Sequence, residues 1–131
     1  MSIWGHRVSL TLVAVAVLLL GVGALLPALT RPPSREITLV ARGMAFYLDS
    51  EPEFPNPTLT FNAGERVRIV LRNEERGFTH DFSVPRAKAS TDLIDWNEES
   101  DVTFDVPDRP GTYDYLCEPH AMMMRGRIVV R

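Results

Sequence analysis

The spacing of apolar residues changes character once, near residue 30. From Val8 to Leu26 the chain is apolar apart from Ser9, Thr11, Gly21 and Gly23. With Pro27-Ala28-Leu29 added, this run reaches the ~20 residues that cross a bilayer as a helix. It exceeds the ~7–15 residues of a secretory signal's apolar core, and its exit, Leu26 to Arg31, offers no clean small-x-small cleavage site. Residues 1–30 are therefore read as an uncleaved membrane anchor, with a cleaved signal segment as the alternative. Arg7 precedes the run with no acid near it, which favours an internal N-terminus and an extracytoplasmic remainder. Residues 31–35, with two prolines, form a stiff polar linker.

Beyond residue 36 the period is two. Ile37, Leu39 and Ala41 share one face, and 44–48 is a second short strand. Leu59 and Phe61 share a face ahead of the turn-forming Asn62-Ala63-Gly64-Glu65. The clearest strand is 66–72, where Val67, Ile69 and Leu71 alternate with Arg66, Arg68 and Arg72. A strand is expected to begin at Thr79. Residues 101–106 alternate Val102, Phe104 and Val106, and 112–117 put Tyr113, Tyr115 and Cys117 on one face. Residues 127–130 close the chain. The stretch 85–97 reads as a loop with one helical turn near Asp92-Leu93-Ile94. About seven short strands separated by turns predict an all-β antiparallel sandwich over 36–131.

Charge narrows the list of partners. All 17 acidic residues lie beyond Arg35, while one of the 14 basic residues, Arg7, precedes the linker, so the body carries about −4. That balance argues against nucleic acid, which asks for a basic face. The three strand arginines are read as a solvated face. Cys117 is the only cysteine, so no intrachain disulfide forms.

The candidate chemistry sits in Tyr113 to Gly126. Eight residues, 117–124, hold the single cysteine, one of three histidines and three consecutive methionines. Thiolate, imidazole and thioether are soft or borderline donors that suit copper better than magnesium or calcium. A one-electron copper site of the blue type takes two imidazoles, one thiolate and a weak axial thioether. The second imidazole falls to His80, because His6 adjoins the apolar run. Zinc also accepts Cys and His, but a thioether serves it poorly. Taken alone, Cys117 would read as a small buried hydrophobe.

The pattern His80-Asp81, then Cys117-Glu118-Pro119-His120, then Met124-Arg125-Gly126 and a closing strand, resembles the cupredoxins. These are the small blue copper proteins typified by plastocyanin and amicyanin. The resemblance extends from about Glu36 to Arg131. It implies a Greek-key β-sandwich holding one type 1 copper ion on His80, Cys117, His120 and Met124. Counting forward from His120 with amicyanin's spacing gives Met123 instead; the Met-x-Gly register selects Met124. Family members commonly carry Asn where this chain has Asp81, at a position that ties the two ligand segments together.

The resemblance further implies a carrier of single electrons, not an enzyme. It would work between a redox donor and acceptor, for example a cytochrome or an oxidase, outside the cytoplasm. Too few histidines remain for a multicopper catalytic site, and a binuclear centre would need a second cysteine. Met122 and Met123 read equally as core filler or as an apolar patch beside His120. The rival is a copper chaperone or sensor built on the Cys/Met-rich loop. A third reading is a docking domain with this fold and no metal.

Overall fold

The computed structural model describes residues 31–131. The expected anchor or signal segment, 1–30, lies outside the described residues. Among those described, no helix is long and apolar enough to cross a membrane.

Among the described residues, nine strands form two sheets. They are β1 (Arg35–Arg42), β2 (Ala45–Leu48), β3 (Leu59–Phe61), β4 (Arg66–Asn73) and β5 (Ser83–Val84). Then come β6 (Ala89–Ser90), β7 (Glu99–Asp105), β8 (Gly111–Leu116) and β9 (Arg125–Val130). One sheet has the order β2-β1-β4-β7 and the other β3-β9-β8-β5-β6. The inward residues of both meet in one core. Leu39, Ala41, Val67, Ile69, Leu71 and Phe104 come from the first sheet, and Leu59, Phe61, Tyr115, Ile128 and Val130 from the second. Period-two burial of these side chains removes apolar surface from water, the main force holding such a sandwich together.

The strand spacing predicts an antiparallel sandwich, and two strand pairs depart from it. β1 runs parallel to β4, and β3 parallel to β9. Parallel neighbours need long crossovers, and the chain supplies them by switching sheets after β2, β3, β4, β6 and β7. The stretch 85–97 also departs from expectation. A 3₁₀ turn occupies Pro85–Ala87, β6 follows, and Asp92 to Ile94 is not helical. Ile94 instead exchanges main-chain hydrogen bonds with His80, with N–O distances of 2.9 and 3.0 Å. Long-range pairing of this kind leaves no local periodicity to read. The strand expected from Thr79 starts at Ser83 for the same reason, since the main chain of 79–82 is bonded to other main chain only through that bridge and by the Thr91 N–H to Phe82 O (3.0 Å).

The arginines on β4 do face outward, and each is paired. Arg68 meets Glu36 (2.6 Å) and Asp101 (3.0 Å), Arg72 meets Asp49 (2.7 Å) and Glu74 (3.1 Å), and Arg66 meets Asp105 (3.2 Å). These pairs are solvent-screened, and exposed pairs contribute roughly 0–1 kcal/mol each.

Two local features fix the ends of strands near the candidate ligands. Gly43 and Met44, both at positive φ (57° and 58°), make the tight β1–β2 hairpin; two such residues suit the right-handed twist of the strands. Gly126, directly across from Tyr115 in the β8–β9 register, is needed for space. A Cβ there would lie 2.2 Å from Tyr115 Cζ.

Candidate metal centre

Three segments converge at one end of the sandwich. Cys117 follows β8, and Pro119 lies in the first turn of a 3₁₀ element, Glu118–His120, which reverses the chain. The His120 N–H donates to Cys117 O (3.1 Å), and the N–H groups of Met123 and Met124 both donate to His120 O (2.9 Å each). The Cys117 N–H donates to Met124 O (3.0 Å), closing the loop from 117 to 124 on itself. His80 approaches from the segment between β4 and β5.

The sulfur of Cys117 lies 3.7 Å from Nδ1 of His80 and 3.5 Å from Nδ1 of His120. All three donor atoms fall within 4.8 Å of one another. These separations can be tested against a metal. Bonds of about 2.0–2.1 Å to imidazole and 2.3 Å to thiolate, the values for zinc, at 110–120° put sulfur and nitrogen about 3.5–3.8 Å apart. Both sulfur–nitrogen pairs match the spacing of two ligands on one first-row metal ion. Cys117 and His80 are fully buried and His120 is partly exposed.

The methionines separate by burial. Met124 is fully buried and belongs to the same core cluster as Cys117, whereas Met122 is 96% and Met123 56% exposed. A buried thioether beside a buried thiolate fits an axial donor; Met123 does not sit in the core. Met122 and Met123 are not core filler. Met44 packs against the core from the β1–β2 hairpin.

Asp81 ties the two ligand-bearing segments, as its position implied. Its Oδ1 accepts the Glu118 N–H at 2.7 Å, and Ser83 Oγ donates to Glu118 Oε1 at 2.9 Å. The rings of His80 and His120 lie 4.9 Å apart, and Phe78, 45% exposed, meets His120 edge-on at 6.0 Å.

Burial dominates the proton affinities. It pushes the Cys117 thiol up to about 11, against the main-chain N–H groups of Asp81 and His120, which favour the thiolate. Burial also lowers His80, opposed by its hydrogen bond to Glu75, and keeps the imidazole neutral with a lone pair to offer. A bound cation removes a coordinating thiol's proton outright.

One contact at this centre was not read from the sequence. Glu75 Oε2 lies 3.1 Å from His80 Nε2, on the ring edge opposite the sulfur, and also accepts the Met44 N–H at 3.0 Å. A local signal existed. Asn73 ends β4, and its Oδ1 accepts the Glu75 N–H at 2.8 Å, an Asx turn that bends a nominally surface Glu-Glu-Arg run.

The family described as copper binding proteins, plastocyanin/azurin family, matches residues 52–131. The chain belongs to that family. As a cupredoxin it shares its fold with solved structures of low sequence identity. Auracyanin B is 21% identical, with a TM-score of 0.64 over 78% of this chain and 92% of that one. Auracyanin A, a "blue" copper protein from the green thermophilic photosynthetic bacterium Chloroflexus aurantiacus, is 24% identical, with a TM-score of 0.57 over 73% of this chain and 98% of that one. A histidine-to-methionine variant of rusticyanin is 24% identical, with a TM-score of 0.58 over 76% and 80%. No curated protein sequence matches the chain. Family and donor set together make one type 1 copper ion the cofactor of this cupredoxin.

Proposed function

We propose that the protein carries single electrons between redox partners, with copper held by His80, Cys117, His120 and Met124. The observation that carries this reading is the approach of Cys117 Sγ to Nδ1 of both histidines at metal-ligand separations. When bound there, copper supplies a one-electron couple between Cu(II) and Cu(I).

The chain's own residues do the rest. Cys117 gives the thiolate, and its main-chain bond to Met124 keeps the two ends of the loop in register. The Asp81 carboxylate holds that loop against the segment bearing His80. Donors fixed by strands and main-chain bonds need little rearrangement when the charge at the site changes, which lowers the barrier to electron transfer. His120 alone among the three nitrogen and sulfur donors is not buried, so its edge is the route for the electron. Phe78, Met122 and Met123 expose apolar surface in the segments beside it, suited to the small interfaces of transient redox encounters.

The domain works outside the cytoplasm, attached to a membrane through 1–30 or released after cleavage, and it is not an enzyme. The expectation of an external site draws support from the order of the sequence, an apolar run followed by a stiff linker. The donor and acceptor are redox proteins such as a cytochrome or an oxidase. Copper delivery is the competing reading, favoured by the exposed thioethers of Met122 and Met123.

Loading the purified protein with Cu(II) tests the two against each other. An intense visible sulfur-to-copper absorption, lost in Cys117→Ser, is expected of the carrier. Colourless protein that retains only Cu(I) would establish the delivery reading instead, and failure to take up either ion would overturn both.

A further inference from the structure

We infer that Glu75 is a positioning residue that sets the reduction potential of the centre through His80. The inference rests on the copper reading above and concerns the far edge of one ligand ring. His80 is fully buried, so its Nε2 is shut off from bulk solvent. The Glu75 carboxylate stands 3.1 Å from it. A carboxylate only accepts, so the Nε2 position carries the ring's hydrogen. The lone pair of the neutral ring then falls on Nδ1, which faces Cys117 Sγ at 3.7 Å. The contact selects the tautomer able to bind metal.

Glu75 is itself held from two sides. Its own N–H is fixed by Asn73 Oδ1, and Asn73 Nδ2 donates to Phe78 O (2.8 Å) and Ile94 O (3.1 Å). Its Oε2 also receives the Met44 N–H from the β1–β2 hairpin. The carboxylate therefore cannot swing away from His80 without also breaking its bond to the β1–β2 hairpin, while Asn73 fixes the main chain that carries it. A fixed negative charge hydrogen-bonded to a ligand imidazole makes that imidazole the more basic donor. The more positive oxidation state gains most, so Cu(II) is favoured over Cu(I) and the potential is lowered.

The test is voltammetry of the copper-loaded protein and of Glu75→Gln, which keeps shape and an acceptor but removes the charge. Outer partners of metal ligands are worth about 10–100-fold in metal affinity. A tenfold loss for Cu(II) relative to Cu(I) raises a one-electron potential by about 59 mV. A rise of at least that size, with the visible band retained, is expected.

Glu74→Gln is the charge control, because Glu74 bonds Arg72 and not His80. An equal shift in Glu74→Gln would overturn the inference, as would an unchanged potential in Glu75→Gln with only a loss of stability. Should Glu75→Gln not fold, nitrogen NMR of the wild-type Cu(I) protein decides. A hydrogen-bonded proton on His80 Nε2 supports the assignment, and a proton on Nδ1 overturns it. A wild type with no visible band would instead defeat the copper reading itself.

Discussion

Gly126→Ala puts the greatest strain on the scaffold for the smallest change. A Cβ at 126 would lie 2.2 Å from Tyr115 Cζ, 2.3 Å from Oη and 2.5 Å from Cε1. Carbon atoms in contact sit about 3.5–4.0 Å apart, so the ring or strand β9 must retreat by more than about 1 Å. The ring has nowhere easy to go. It is fully buried, with Phe46 and Phe82 at centroid distances of 5.5 and 5.3 Å, and its hydroxyl donates to Pro57 O at 2.6 Å. Overpacking costs about 1–3 kcal/mol, and losing the hydroxyl's hydrogen bond about 1 kcal/mol more. The expected loss is about 2–4 kcal/mol, with a disturbed visible spectrum because β9 carries Met124 at its entrance.

Denaturant unfolding of copper-loaded protein measures the loss, and a double-mutant cycle isolates its cause. Tyr115→Val removes the ring and leaves an ordinary cross-strand pair, so Ala at 126 should then cost less than about 0.5 kcal/mol. Equal costs in the two backgrounds, or a cost below about 0.5 kcal/mol in the wild type, would refute the reasoning.

Three further outcomes are expected. Met124→Leu, nearly volume-conserving, should cost under about 1.5 kcal/mol yet raise the potential, because Cu(II) depends more than Cu(I) on a full set of donors; Met123→Leu should change neither potential nor spectrum. Asp81→Asn should keep the bond to the Glu118 N–H while removing a negative charge, so its voltammetric potential should rise; an unchanged value would contradict the electrostatic role. The metal-free protein should lose stability as pH climbs from the thiol's ordinary 9.0 to about 11, because the folded state keeps the Cys117 proton that the unfolded state releases. Two pH units correspond to about 2–3 kcal/mol; denaturant midpoints across that range should show it, and Cys117→Ala or bound copper should abolish it.

Much of this architecture is written in short-range patterns. The alternation in β4 gives both its buried face and its arginine fan, and Cys117, Pro119 and His120 lie so close that a single turn brings them together. His80 was found by elimination among three histidines, an accident of composition more than a signal of geometry. What escaped was set by contacts distant in sequence. The parallel pairings of β1 with β4 and β3 with β9 depend on crossovers between sheets. The 85–97 stretch takes its shape from Ile94 pairing with His80. Glu75 resembles any surface acid until Asn73 bends it inward. Between Met123 and Met124 the Met-x-Gly register selects Met124, and the burial of Met124 agrees with that selection.

The uneven depth of the donors shapes how such a carrier would trade electrons. With Cys117, His80 and Met124 sealed beneath the surface and only one imidazole edge emerging, the centre has a single port among the described residues. Supplier and recipient cannot occupy it together, so encounters must alternate. An excess of either one in its spent oxidation state then behaves as a competitive inhibitor of the other. Throughput becomes governed by how quickly each complex falls apart, which rewards loose recognition over tight recognition.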